Sequence, residues 1–145
     1  MIVYIDASAL VKRYVAEAGS GDVAVLINRA SAIGTAIISR AEVAAALAKA
    51  VRMKFVARDE AASALQVFSA EWESLIRLQM TEVLMSHAAS LAWERGLRGY
   101  DATHLAAALF WQDILGEAIT VASYDRQLWE AAAVSGLIAW PEARP

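Results

Sequence analysis

Residues Ile2 to Ile5 are apolar without a break, and each is β-branched or aromatic. A run with no polar face suits a strand covered on both sides, as in the interior of a parallel sheet. Asp6 follows at the strand's carboxyl end, the edge of an open α/β sheet where loops converge and ligands bind. Beyond it the spacing turns helical, with Leu10, Val11, Tyr14 and Val15 on one face and Lys12-Arg13 on another. Gly19-Ser20-Gly21 interrupts this pattern, and Ser20 or Asp22 is expected to cap a second helix that buries Val23, Leu26 and Ile27. Gly34 then introduces a second short strand, Thr35 to Ile38.

Ser39-Arg-Ala-Glu42 precedes an alanine-rich helix through Val43, Leu47 and Val51 to about Lys54. Ser-x-x-Glu before such a run is the capping-box pattern, so Glu42 has a local structural job available. Arg58-Asp59-Glu60 begins the next helix, with Leu65, Phe68, Trp72 and Leu75 as its inner stripe. Leu75 to Met80 alternates with Arg77 and Gln79, which predicts a third strand near a sheet edge. Thr81-Glu82 starts a helix that Gly96 ends; Gly99-Tyr100-Asp101 opens another, with Leu105, Ala108, Leu109 and Ile114 inward, that Gly116 ends. Ala118 to Ser123 is the fourth strand, Tyr124-Asp125 opens the last helix, and Leu137 to Trp140 is a final short run stopped by Pro141. Short apolar strands alternating with helices predict an α/β fold, a three-layer α/β/α sandwich around a central, mostly parallel sheet.

At 145 residues the chain is expected to form one domain, residues 1–145, with a sizeable core. No apolar run reaches the roughly 18 residues of a membrane-spanning helix. The first residues lack the basic flank and cleavage site of a signal peptide. There is no cysteine, hence neither a disulfide framework nor a zinc-thiolate site. Together these predict a soluble, cytoplasmic protein. The net charge of −3 argues against broad electrostatic binding of nucleic acid, leaving only local patches such as Arg40, Lys49, Arg52, Lys54 and Arg58, or Lys12-Arg13, Arg98 and Arg126.

Asp6, Glu42 and Asp125 share one grammar: strand, then acid, then helix. In a parallel sheet all three positions fall at the carboxyl edge. Asp101 also opens a helix, but it follows another helix, and the pattern alone does not place it there. Each acid has an ordinary use as a helix cap or a capping-box member. Collected in one crevice, however, carboxylates repel and raise one another's pKa unless a cation sits among them. Hard oxygen donors without cysteine or clustered histidine suit Mg²⁺ or Mn²⁺. Phosphodiester hydrolysis is the chemistry that commonly uses such a cage.

Four segments, Met1 to Leu10, Ser39 to Glu42, Gly96 to Ala108 (with Tyr-Asp-Ala-x-His-Leu-Ala-Ala-Ala at its centre) and Ala122 to Leu128, resemble in order and spacing the PIN-domain nucleases. They are most similar to the VapC-type ribonuclease toxins of toxin–antitoxin pairs, and the resemblance runs from the first residue to about Leu137. It implies a PIN-like fold and a metal-dependent endoribonuclease with the acidic quartet Asp6, Glu42, Asp101 and Asp125 as catalytic and metal-binding residues. It implies supporting roles for Ser8 and Ser123, an RNA substrate, a homodimer, and an antitoxin whose carboxyl-terminal segment occupies the groove, often through an arginine.

Arg98, two residues before Tyr100-Asp101, is the candidate contact for an RNA phosphate. His104 lies one turn after Asp101 in an apolar helix, which favours a packed or hydrogen-bonded histidine over a catalytic base. His87 has no identifiable acidic partner. Trp72, Trp93, Trp111 and Trp129 fall on helical stripes, so core or dimer packing suits them better than base stacking; Trp140 is open. The alternative of a different class is a PIN-like RNA-binding or protein-docking module whose acids only cap helices. An aspartyl-phosphate phosphatase is disfavoured, because Asp6-Ala-Ser lacks a second aspartate two residues on.

Overall fold

A computed structural model describes residues 1–145. The elements run β1 (Ile2–Ile5), α1 (Ala7–Leu10), α2 (Ser20–Arg29), β2 (Ala32–Ala36), α3 (Ser39–Arg52), α4 (Arg58–Glu71), β3 (Ile76–Leu78), α5 (Glu82–Arg95), α6 (Gly99–Leu115), β4 (Thr120–Ala122), α7 (Arg126–Ala133) and β5 (Ile138–Trp140). All five strands are parallel, in the order β3-β2-β1-β4-β5. β1 is therefore central, with Val3 opposite Ile33 on one side and Thr120 on the other.

Alternation along β1 divides the interior. Tyr4 faces a core with Leu78, Leu105, Trp111, Val121 and Leu128, covered by α5, α6 and α7. Val3 and Ile5 face a second core with Leu10, Val23, Val43, Leu47 and Phe68, covered by α1 to α4. Helices on both faces of a parallel sheet give the expected three-layer α/β/α sandwich, and explain why β1 has no polar side-chain pattern. The chain builds outward from β1 to β2 and β3, then returns to add β4 and β5 on the other flank. The reversal of strand order lies between β1 and β4, the switch point at whose carboxyl edge open α/β sheets bind ligands.

Several local expectations change. The second strand starts earlier, at Ala32, and Gly34 lies inside it: a Cβ there would come within 2.6 Å of the Trp111 ring. The glycine therefore serves close approach of an indole rather than a turn. α1 ends at Leu10 and passes into one 3₁₀ turn, Val11–Arg13, leaving Tyr14 to pack edge-on against Phe68 at 5.2 Å. α2 is preceded by Gly19 in the left-handed region (φ 91°), not capped by Ser20 or Asp22; the Ser20 hydroxyl instead donates to the Val15 carbonyl.

The capping box at Ser39 does not form, since Ser39 is already inside α3 and its hydroxyl pairs with Thr35 Oγ1 at 2.7 Å. Ile114 and Trp93 are solvent-exposed rather than inward, and Leu65 is borderline. Trp72 and Trp111 are buried; Trp129 is half-buried and donates Nε1–H to the Pro141 carbonyl, and Trp140 packs edge-on against Tyr124 at 5.9 Å. No helix is long and apolar enough to cross a membrane.

Candidate active site

β1 delivers Asp6 to the crevice floor, where it is 4% exposed. Its backbone N–H bonds the Ala122 carbonyl of β4 at 3.1 Å, so the sheet ladder fixes the position of the side chain. Both carboxylate oxygens are held. Oδ1 accepts from Ser8 Oγ at 2.7 Å and from the Ala9 N–H at 3.0 Å, and Oδ2 accepts from Ser123 Oγ at 2.8 Å. Asp6 thus caps α1, and the two serines bridge the loops that flank it. Ser8 Oγ accepts from the Tyr124 N–H at 2.8 Å, and Ser123 Oγ accepts from the Asp125 N–H at 3.0 Å. The segment after β4 is therefore fastened to the start of α1.

Asp125 caps α7, its Oδ1 accepting from the Gln127 and Leu128 N–H groups. Its Oδ2 receives the Arg98 NH2 donor at 2.6 Å. The same guanidinium gives Nε–H to Asp101 Oδ2 at 2.8 Å and lies 4.8 Å over the Tyr100 ring. Asp101 sits in the first turn of α6 but is not its cap, and at 1% exposure Arg98 is its hydrogen-bond partner. One arginine thereby joins Asp101, the acid that sequence pattern left unplaced, to Asp125. Direct bonds tie Asp6 to Ser8 and Ser123, and through Ser123 to the Asp125 backbone.

Glu42, in the first turn of α3, turns toward α6, where its Oε1 meets His104 Nε2 at 2.7 Å. His104 Nδ1 pairs with the Tyr4 hydroxyl at 2.7 Å. Tyr4 is fully buried and His104 is 2% exposed, so a hydrogen-bonded chain runs from the core to Glu42. His104 is the hydrogen-bonded histidine its setting predicts. Sequence reasoning missed Tyr4, reading it only as one more apolar position of β1. The usable signal was its phenol, since a tyrosine in a doubly covered strand needs a buried partner for its hydroxyl. His87 is exposed on α5, and the basic run Arg40, Lys49, Arg52, Lys54 and Arg58 is exposed along α3 and the start of α4, without ion pairs.

The electrostatics follow from crowding. Burial raises the Asp6 carboxyl above the ordinary aspartate range, against the lowering influence of His104 and the three hydrogen bonds. Burial also raises Asp101; Arg98 opposes this and the charge of Asp125 adds to it. Burial pulls His104 down, but the bond to Glu42 and the charges of Asp6 and Asp101 outweigh it, leaving a net rise.

No three acidic or histidine side chains converge as a ready-made metal cage in this arrangement. The donor chemistry nevertheless fits a hard divalent ion: carboxylate oxygens, no thiolate, and a guanidinium already standing as a cation between Asp101 and Asp125.

Residues 3–134 match the PIN domain family. The chain belongs to that family. Within it, the PIN-domain chain is 36% identical over 135 residues to two proteins of Mycobacterium tuberculosis, Ribonuclease VapC45 of strain CDC 1551 / Oshkosh and Ribonuclease VapC49 of strain ATCC 25618 / H37Rv. Each match covers 93% of this chain and 92% of the relative, making this a VapC-type PIN protein. Two solved structures share the fold. The crystal structure of VapC20 of M. tuberculosis, described as a sarcin-ricin loop cleaving toxin, superposes with a TM-score of 0.66 at 17% identity, over 99% of both chains. VapBC2 from Rickettsia felis, bound to a DNA fragment from its promoter, gives 0.59 at 13% identity, over 90% of this chain and 92% of the other.

Proposed function

We propose that the protein is a metal-dependent endoribonuclease acting as the toxin of a toxin–antitoxin pair. The observation that carries this reading is the pairing of Asp101 and Asp125 through one guanidinium, Arg98, with Asp6 tied through Ser123 to the Asp125 backbone. The names of the VapC relatives support RNA as substrate, and the VapB–VapC neighbour supports an antitoxin partner. A homodimer and cytoplasmic action belong to the same proposal.

Asp6, Glu42, Asp101 and Asp125 would hold Mg²⁺ or Mn²⁺. When bound, such an ion would supply Lewis-acid polarisation of a phosphodiester and would lower the pKa of a water. Ser8 and Ser123 fix both oxygens of Asp6, so that carboxylate needs no reorganisation when charge develops. His104 keeps Glu42 turned toward the crevice, and Tyr4 fixes the His104 ring through Nδ1. Arg98, whose side chain is 45% exposed, would meet a substrate phosphate.

One observation favours the docking-module alternative: Asp6 and Asp125 do cap α1 and α7. The two readings part on Asp6→Asn. The nuclease reading expects RNA cleavage to vanish while the fold survives, and Mn²⁺ to stabilise the wild type but not the variant. Near-normal cleavage by a well-folded Asp6→Asn protein, or no Mn²⁺-dependent stabilisation of the wild type, would sink it.

A further inference from the structure

The position of Arg98 carries more than phosphate binding. Its guanidinium is shared between two carboxylates from different elements, Asp101 of α6 at 2.8 Å and Asp125 at the head of α7 at 2.6 Å. Asp101 is buried, yet the Arg98 side chain is 45% exposed. A buried carboxylate whose one cationic partner is solvent-accessible can exchange that partner without rearrangement of the core. Asp6 contrasts with it, both oxygens being tied to groups of the rigid scaffold.

We infer that Arg98 is an internal counter-cation that competes with the divalent ion for Asp101 and Asp125, so that metal binding and release of the guanidinium are one coupled step. Without metal, the arginine neutralises the two acids and keeps the crevice from repelling itself apart. When a divalent ion takes those oxygens, the guanidinium swings outward, remains anchored at the rim by the Tyr100 ring, and becomes available to a phosphate. Arg98 is then a positioning and affinity-setting residue, because it lowers metal affinity by the free energy of the ion pairs that must be broken. The inference rests on the nuclease reading of these acids.

The test is a set of Mn²⁺ binding isotherms at pH 8 for the full chain as wild type, Arg98→Gln and Arg98→Lys, with melting temperatures measured beside them. Competition predicts that Arg98→Gln binds Mn²⁺ about tenfold tighter, the order expected for two released charge-assisted contacts of which one is to a buried acid. Arg98→Lys keeps the charge but loses the fork that spans both acids, and should fall between the two. The metal-free Arg98→Gln protein should melt lower, and Mn²⁺ should raise its melting temperature by more than it raises that of the wild type.

Should Arg98→Gln not fold, the wild type itself gives the decision through the Arg98 side-chain Nε–H resonance. It should shift with Mg²⁺ in step with the amide signals of Asp101 and Asp125. An unmoved Nε–H signal at saturation, or equal Mn²⁺ affinity in wild type and folded Arg98→Gln, overturns the inference while leaving the nuclease reading intact. If no protein in the set binds Mn²⁺, both fall.

Discussion

Replacing Asp6 by asparagine should leave the metal-free protein as stable as the wild type at pH 7.5, or more stable by about 1 kcal/mol, and the reason is a balance visible around that side chain. The carboxylate receives three hydrogen bonds, and neutralising it reduces each from the charged to the neutral class, a loss of about 1 kcal/mol apiece. Against this, the charge is buried at 4% exposure, and removing an ion from water costs several kcal/mol even after relaxation. The raised pKa says which side wins: burial outweighs the donors.

The asparagine also fits. Its oxygen can take the place of Oδ1, facing Ser8 and the Ala9 N–H, while its amide faces Ser123 Oγ. That hydroxyl can accept and turn its proton to Ser8 Oγ or the Asp125 carbonyl, each 3.4 Å away.

The pH sign is fixed by the same shift. A carboxyl whose folded pKa lies above its unfolded value stabilises the fold fully below about pH 4, the ordinary aspartate value, and loses that contribution as pH rises through the raised value. Asp101 gives a slope of the same sign in both proteins. Urea denaturation in EDTA from pH 4 to 8 should therefore show wild-type stability falling faster than that of Asp6→Asn, each tenfold rise in proton affinity being worth about 1.4 kcal/mol. Adding Mn²⁺ should reverse the order, by stabilising the wild type alone. A loss of more than about 2 kcal/mol in EDTA at pH 7.5, or parallel pH profiles, would refute the balance.

Three other substitutions separate the remaining roles. Glu42→Gln keeps a hydrogen-bonding side chain against His104, so calorimetry should show weakened Mn²⁺ binding with little change in melting temperature; the reverse result would make Glu42 a structural residue. Tyr4→Phe leaves His104 Nδ1 without its partner in a dry core, which should cost about 1–3 kcal/mol in urea denaturation. Gly34→Ala drives a Cβ to within 2.6 Å of the Trp111 ring and should cost about 1–3 kcal/mol, part of which Trp111→Leu in the same chain should recover.

How legible each acid was in the sequence depended on where its partners lie. Asp6 follows an unbroken apolar strand and Asp125 a short, fully buried one, so strand end and sheet edge could be read directly. Glu42 follows β2 in the first turn of α3, but its local signature pointed to the wrong neighbour. The capping box is a statement about four consecutive residues, whereas Ser39 is drawn to Thr35, whose hydroxyl in turn bonds the Ile5 carbonyl at 2.6 Å, and Glu42 is drawn to His104 across the sheet. Asp101 was invisible to strand-acid-helix grammar, because α6 follows α5 and reaches the carboxyl edge through its packing against that helix. Exposed Trp93 and Ile114 show the limit of apolar periodicity: it marks a stripe without saying how far along the helix the neighbour extends.

The two sides of the crevice differ in how freely they can respond. On the β1 side, Asp6 is immobilised by a backbone amide and two serines that are themselves pinned by the chain after β4. On the α6 side, Asp101 and Asp125 share an arginine that is 45% exposed. On the nuclease reading, the fixed carboxylate on one flank would set where a cation sits, and the exchangeable arginine on the other would let it enter without unfolding the cap of α7. A site built only of immobile carboxylates would carry its repulsion permanently in the metal-free fold. One built only of exchangeable pairs would bind a cation without aiming it. The proposed division of labour between Asp6 and Arg98 would avoid both, and it would follow from placing the first acid at the end of the central strand and the arginine at the head of α6.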